Sequence, residues 1–436
     1  MKLFEKLRYY FFWIIDVLTG GKVKSHYNDV KFILEHYNTE ESQQKRAEYL
    51  QNVLKHATHT TGFYKDYKNN KLITDFPVVN KAFIKSHVDD LVSKEYVNKQ
   101  KIKIQTSGSS GTPFTVYIDE NKKKRNTADT IYFSKKTGYE LGQKLFYFRA
   151  WNSKKFKTKL KALIQNIKKI NVLFLDDVAI DKLLKDLQKE KSDIAILCYT
   201  STIRDICKYL DKTHSEPIQV NISSFIANAE PLDDYTKRAV KKHFNCDVYS
   251  RYSNMENGML SHQIPNEGHD FHINWASYYI EILKVHNDNP ASYGELGRVV
   301  VTDLFNYNMP MIRYDTGDLA IMKSNSNAFN GAPSLVHVEG RKMDTIYTTQ
   351  GRAISAVVYE LDEFDELKEF QLIQENKTTY RVIASLNQEF NREKIVIQKL
   401  KNHLGQDAII NLVYVNDIPK MSSGKRKLTI NETISQ

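Results

Sequence analysis

The chain of 436 residues is 41% hydrophobic and 26% charged, globular proportions with length enough for more than one domain and a large core without disulfides or structural metals. Three cysteines (Cys198, Cys207 and Cys246), none in a CxxC pair, exclude a zinc or disulfide framework and fit a reducing compartment. The net charge of +11 comes from scattered Lys and Arg, with short runs at Lys122–Arg125 and Lys425–Lys427 and no nucleic-acid-binding signature; it reads as a solvated basic surface, and nucleic acid is not an expected partner.

Leu3, Phe4, Leu7, Tyr10, Phe11, Ile14, Val17 and Leu18 recur at helical spacing, with Lys2, Lys6 and Arg8 nearby. Asp16 interrupts the stretch, which falls short of the roughly 20 residues of a membrane span. We expect a helix docked on the body of the protein through this stripe, with peripheral contact to an anionic membrane face through residues 3–18 as the alternative. No signal peptide is read, so the expected location is the cytoplasm, with the inner membrane face as the place of any peripheral contact.

Residues 26–60 predict one or two helices carrying Phe32, Ile33, Leu50 and Leu54 on the inner side. Ile102–Gln105 reads as a strand, and a second strand follows where Phe114, Val116 and Ile118 alternate with Thr115 and Tyr117. Buried strands are expected at Leu145–Phe148, Val172–Leu175, Ile194–Leu197 and Ser223–Ala227. Between them lie helices such as Ile203–Leu210, and one capped by Asp233 that runs to Phe244. This alternation predicts an α/β body with a largely parallel sheet. Beyond it, Phe370–Gln374 and Tyr380–Ser385 form a hairpin around Asn376-Lys377, followed by a helix from about Arg392 to Leu404 and a strand from Ile409 to Val415. The expected organisation is a large N-terminal α/β domain, residues 1–340, and a small α+β C-terminal domain, residues 341–436, joined by a hinge.

Five elements bear on chemistry. Thr106-Ser107-Gly108-Ser109-Ser110-Gly111-Thr112-Pro113 packs hydroxyls and glycines into a loop whose backbone can approach a phosphate; alone it is equally a flexible turn. No Lys-Ser/Thr follows Gly111 and a strand comes next, so it is not a Walker loop. Arg251-Tyr252-Ser253-Asn254-Met255-Glu256 offers a ring for a purine and a carboxylate for Mg²⁺. In Met311-Ile312-Arg313-Tyr314-Asp315-Thr316-Gly317-Asp318 a carboxylate can accept from ribose hydroxyls, or the segment is an Asp-rich turn. Gly340-Arg341-Lys342-Met343-Asp344 marks the change in composition. Pro419-Lys420-Met421-Ser422-Ser423-Gly424-Lys425 presents a cation on a pliable turn, or a solvated basic tail.

In this order the five elements resemble the adenylate-forming superfamily of acyl-CoA synthetases, luciferases and peptide-synthetase adenylation domains. The likeness is greatest to the phenylacetate–CoA ligase-like branch, including the group called capsular polysaccharide biosynthesis proteins, and covers nearly the whole chain. Asp75-Phe76-Pro77-Val78-Val79-Asn80-Lys81 and Asn228-Ala229-Glu230-Pro231 are similar to further segments of that branch. The resemblance implies that Thr106, Ser107, Gly108, Ser109, Ser110, Gly111 and Thr112 cradle the ATP phosphates. It further implies that Ala229, Glu230 and Tyr252 line the adenine pocket, Glu256 assists Mg²⁺ and Asp318 grips the ribose. Arg341 would contact the ribose or phosphate, and Lys425 would bridge the carboxylate and the α-phosphate.

The implied reaction is ATP-dependent conversion of a carboxylic acid to an acyl-adenylate with release of pyrophosphate, then transfer to coenzyme A, a carrier thiol, or an amine or hydroxyl of a glycan precursor. Ser253 and Asn228 stand where Gly is usual, Met255 where Thr or Ser meets the α-phosphate, and Met343 where a charged hinge residue is common. A thioether cannot donate, so the alternative is a catalytically silent nucleotide- or acyl-binding relative. For the acyl pocket the candidates are Ile131, Tyr132, Phe133 and Phe146–Trp151, most of them expected in the core.

Overall fold

The computed structural model describes residues 2–70, 72–99, 101–106, 114–151, 162, 164–325, 329–341, 346–351, 353–354, 361, 364, 366–418 and 428–434. Three helices lead the chain, Leu3–Leu18, Lys22–Glu35 and Glu40–Thr60, the third capped by Thr39, whose hydroxyl accepts from Ser42 N. The first of them overturns the expected docking. Every residue of the apolar stripe is exposed, from Phe11 at 51% to Leu18 at 80%. The helix docks instead through Glu5, Tyr9, Phe12, Trp13 and Asp16, of which the two carboxylates are the buried members. Asp16 accepts from Val23 N and Lys24 N at 3.0 and 2.8 Å, capping the next helix, and Trp13 meets Tyr27 edge-on at 5.9 Å. Hydrogen bonds to the neighbouring helix, which periodicity does not register, decide which face turns inward.

Twelve strands form the main sheet. Ile167–Asn171, Lys144–Arg149, Ile194–Tyr199, Ile222–Asn228 and Tyr249–Asn254 lie side by side and parallel. From there Gly258–Gln263, Phe271–Ile273, Ser334–Arg341, Tyr314–Lys323, Leu296–Asp303 and Tyr278–Leu283 continue antiparallel, and the short Val79–Asn80 joins Tyr314 in parallel. The expected parallel sheet is therefore half of a mixed one. One expected strand is displaced: Val172–Phe174 is a 3-10 turn, and the strand is Ile167–Asn171. Asn171 ends it, its side-chain oxygen accepting from Leu173 N at 3.3 Å in an Asx turn. The other three strands run where expected, a residue or two longer, and Asp233 caps its helix through Thr236 N at 2.8 Å.

Helices Asp177–Gln188, Thr200–Lys212 and Asp234–Phe244 cover one face of the parallel half, with Leu183, Ile203, Cys207, Leu210 and Val240 packed on Phe148, Ile196, Cys198 and Ala227. Strands Ile102–Thr106 and Phe114–Ile118 pair antiparallel with Thr106 opposite Phe114; the loop Ser107–Pro113 between them lies outside the described residues. Near the C-terminus a four-stranded sheet runs in the order Ile409–Tyr414, Thr379–Leu386, Leu367–Gln374, Thr429–Asn431, with the predicted hairpin at its centre. Helix Glu393–Leu404 seats Val396, Leu400 and Leu404 against Leu372, Tyr380 and Val382.

The Lys122–Arg125 run is only half the solvated surface expected of it. Helix Glu120–Lys136 places Lys122, Arg125 and Asp129 at i, i+3 and i+7, on its inner face, and all three are fully buried, while Lys123 stays exposed. Lys122 Nζ lies 2.7 Å from Asp303 and donates to Tyr278 Oη at 3.1 Å. Arg125 donates to Ser277 Oγ, Asp29 Oδ2 and Ala276 O at 2.7, 2.7 and 2.6 Å. Asp303→Ala leaves a buried ammonium alone and is expected to destabilise the fold by about 3–5 kcal/mol in denaturant titration. Pairing it with Lys122→Met should recover most of that loss; a single-variant loss below about 1 kcal/mol would mean the pair is not buried as described.

Candidate active site

The strand Tyr249–Asn254, the loop after it and the strand Tyr314–Lys323 bring together residues 58 to 66 positions apart in sequence. The Tyr252 hydroxyl donates to Asp318 Oδ2 at 2.7 Å and lies 3.4 Å from Thr316 Oγ1. Burial, then the Asp318 carboxylate, pushes the Tyr252 phenol well above its ordinary value, so it stays a donor. The turn that presents Asp318 is built from its own sequence. Gly317 sits at φ +79°, Gly317 N donates to Asp315 Oδ1 at 2.9 Å, and Asp318 N donates to Thr316 Oγ1 at 3.1 Å. Asp315 in turn is held by Arg298 at 2.6 Å.

Glu256 is buried, and its Oε1 accepts from the Tyr314 hydroxyl at 2.9 Å. The loop carrying it is fixed on both sides: Asn257 N donates to Asn254 Oδ1 at 2.8 Å, and Tyr278 Oη donates to Asn257 O at 2.6 Å. Gly258 closes it at φ +114°, where a Cβ would meet Asn126 Oδ1 at 2.9 Å. Arg313, itself at φ +49°, binds both Glu281 oxygens at 3.1 and 3.0 Å and Phe76 O at 3.0 Å. With Val79 in register with Tyr314, this ties Asp75–Lys81 to the segment bearing Asp318.

Asn228-Ala229-Glu230 follows the neighbouring strand, and Asn228 is in register with Arg251. Ala229 holds φ +70°, a left-handed conformation unusual for a residue with a Cβ. The Glu230 carboxylate accepts from Ser201 N and Oγ at 2.7 and 3.1 Å, at the start of helix Thr200–Lys212. Asp318 and Arg341 are register partners on adjacent antiparallel strands. The Thr106 and Arg341 side chains, Ser107–Thr112, Met343 and Lys425 lie outside the described residues.

Three further residues near the site carry no individual role in the sequence motifs. Tyr314 stands inside a quoted motif, but only the fold shows its bond to Glu256, 58 positions away. Arg313 needed the fold to show its bidentate partner. Arg149 ends the Lys144–Arg149 strand, with Nη2 3.9 Å from the exposed Met255 Sδ. Of the acyl-pocket candidates, Tyr132, Phe133, Phe146 and Phe148 are core, while Ile131, Tyr147 and Trp151 are partly exposed.

Among the described residues no cluster of three His, Cys, Asp or Glu could enclose a metal ion. Mg²⁺ bound with a nucleotide needs only one or two protein carboxylates. Glu256 fits that need, with one oxygen fixed by Tyr314.

Residues 346–432 match the family model described as CapK C-terminal domain. The chain is 25% identical to protein CapK of Staphylococcus aureus over 458 residues, which takes in 99% of this chain and 94% of the relative. Among solved structures it superposes on 2-hydroxyisobutyryl-CoA ligase in its postadenylation state with TM-score 0.72 and 16% identity, covering 92% of each chain. ATP-bound MatB of Rhodopseudomonas palustris gives TM-score 0.52 and 15% identity over 74% of this chain and 66% of that one. The fold is that of the adenylate-forming ligases, as the motifs implied.

The Tyr314–Glu256 bond is measurable without any ligand. A double-mutant cycle on Tyr314→Phe and Glu256→Gln should give a coupling energy of about 0.5–3 kcal/mol in unfolding free energy. Additive losses would mean that the two side chains do not meet.

Proposed function

We propose that this protein activates a carboxylic acid by joining it to AMP and then passes the acyl group to an acceptor. The observation that carries the proposal is the Tyr252–Asp318 hydrogen bond, which joins an aromatic ring and a carboxylate from two separate motifs at one place. A purine over the ring and a ribose at the carboxylate would use both, with Ala229 and Glu230 beside them. Loop Thr106–Thr112 would hold the phosphates, Glu256 would hold Mg²⁺, which neutralises phosphate charge, and Arg341 would reach the ribose or phosphate. The ligase subtype we favour is phenylacetate–CoA ligase-like. Coenzyme A is a candidate acceptor, and the likeness to protein CapK supports a setting in surface polysaccharide synthesis.

In the step proposed, a substrate carboxylate oxygen attacks the α-phosphorus as the bond to pyrophosphate breaks. No general base is needed, because the carboxylate is already ionised near pH 7. What the protein supplies is position and charge: Lys425 between the carboxylate and the α-phosphate, loop donors on the phosphates. The domains proposed are residues 1–340 and 341–436, with a hinge near Arg341 that carries Lys425 toward the site for the first half-reaction and away for the second.

Two variants test this reading. Asp318→Ala should weaken Mg·ATP binding by about 1.5–3 kcal/mol in calorimetry, the worth of hydrogen bonds to a charged group. Lys425→Ala should lower acid-dependent pyrophosphate–ATP exchange by about 10²–10³-fold, yet still transfer the acyl group from a synthetic acyl-adenylate. ATP binding without exchange for any acid would favour the catalytically silent relative.

No helix among the described residues is long and apolar enough to cross a membrane. We propose that helix Leu3–Leu18 lies on an anionic lipid surface at the inner membrane face. Its outward face carries Leu3, Phe4, Leu7, Phe11, Ile14 and Leu18, with Lys2 and Lys6 exposed beside them on a protein of net charge +11. The intact protein should sediment with phosphatidylglycerol-containing vesicles at low salt and not with pure phosphatidylcholine, and Phe11→Glu should release it. No sedimentation with either, or a dimer in light scattering that Phe11→Glu dissolves, would overturn the lipid assignment.

A further inference from the structure

Three neighbouring strands end in one row, which Arg251 in the fourth strand continues. Tyr199 is in register with Asn228, and Asn228 with Arg251. Tyr147 is in register with Leu197, which carries Arg149 to a place beside Tyr199, and the charge of Arg149 acts on the Tyr199 phenol. Successive side chains point to opposite faces of a strand. Phe148, Cys198 and Ala227, one residue earlier, pack beneath the helices of the other face. Arg149, Asn228 and Arg251 therefore share one face near the carboxyl ends of parallel strands, where open α/β sheets bind their ligands, while Tyr199, between them in the row, packs with the core under the helices.

This row is polar and incompletely satisfied. Arg251 Nε donates to Ser253 Oγ at 3.2 Å, while Arg149 meets the Met255 thioether and lies 6.0 Å from the Trp151 ring centroid. Among the described residues neither guanidinium has a carboxylate partner. Burial pulls the Arg251 guanidinium below its ordinary range. Asn228 is only 8% exposed, and its Oδ1 has no hydrogen-bond partner among the described residues. A desolvated guanidinium without a carboxylate and a buried amide oxygen without a donor are costly, and native proteins seldom keep them unless something fills the need.

We infer that Arg149, Asn228 and Arg251 bind the acid to be activated, and that this acid is a hydroxylated diacid. Its second carboxylate would pair with a guanidinium, and a hydroxyl would donate to Asn228 Oδ1. The inference rests on the acid-activating reading above and narrows its substrate class. An alkyl or aryl acid would offer no carboxylate to either guanidinium and no donor to Asn228 Oδ1. Geometry permits a short diacid: three inter-strand steps of about 4.8 Å set the Cα atoms of Arg149 and Arg251 about 14 Å apart, and both long side chains can reach inward from the ends.

The test is pyrophosphate–ATP exchange driven by malate and tartrate against butyrate and phenylacetate, in the full chain and in Arg149→Met, Arg251→Met and Arg251→Lys. ATP affinity by calorimetry reads the nucleotide site separately. Malate or tartrate should drive exchange in preference to the monoacids. Either Met variant should lower kcat/KM for the diacid by about 30-fold or more, as loss of one partner of a buried charge pair does. Arg251→Lys should restore part of it, which a merely structural arginine would not. Exchange driven by the monoacids, or a fall in Arg251→Met that is equal for both acid sets, overturns the diacid assignment while acid activation stands. ATP binding with no exchange from either set overturns both.

Discussion

Lys122 and Asp303 face each other at 2.7 Å with both side chains wholly out of water. Neither charge is tolerable there alone, so the helix that carries one and the strand that ends in the other are bound to a single arrangement. Asp303 also accepts from Phe305 N and Asn306 N at 3.0 and 3.2 Å. Asn306 then donates from Nδ2 to Tyr117 O at 3.1 Å, in the strand that follows Ser107–Pro113. Asp119, at the end of that strand, caps the same helix through Lys122 N at 2.7 Å. One buried ion pair thus fixes the second strand of the hairpin whose loop the sequence marked for phosphate.

Local rules made much of this molecule legible in advance. The strands at residues 144, 194 and 222, the Asp233 cap and the C-terminal hairpin follow from short buried apolar runs, capping chemistry and turn residues. Three features did not follow, each because a distant partner decides it. The antiparallel half of the sheet depends on pairings between strands many residues apart. The inner position of Lys122 and Arg125 depends on Asp303, Asp29 and the Ser277 hydroxyl, so a run of charges conceals two buried anchors. The outward stripe of the first helix depends on Asp16 reaching two amides of the next one.

The same division holds at the candidate site. Tyr252, Glu256 and Asp318 were visible as candidates because each sits in a short motif, and the fold brings Tyr252 and Asp318 into contact. Their supports were not. Tyr314, Arg313 and Arg298 act through side chains and carbonyls contributed by remote segments, and only packing reveals which partner each one has. Ala229 illustrates a further limit: no propensity signals a left-handed alanine, and the surrounding sheet must hold it there.

Glu230 has a consequence for the electrostatics of the whole crevice. A helix N-terminus carries roughly half a positive charge and exposed amide donors, which makes it a natural seat for a phosphate. At helix Thr200–Lys212 that seat is taken, since the Glu230 carboxylate holds Ser201 N and Ser201 Oγ. The carboxylate cancels the helix end's attraction before any ligand arrives and would repel a second anion placed there. Anions entering at this edge of the sheet meet a helix end already neutralised, beside a row of residues in which Arg149 and Arg251 carry the positive charge.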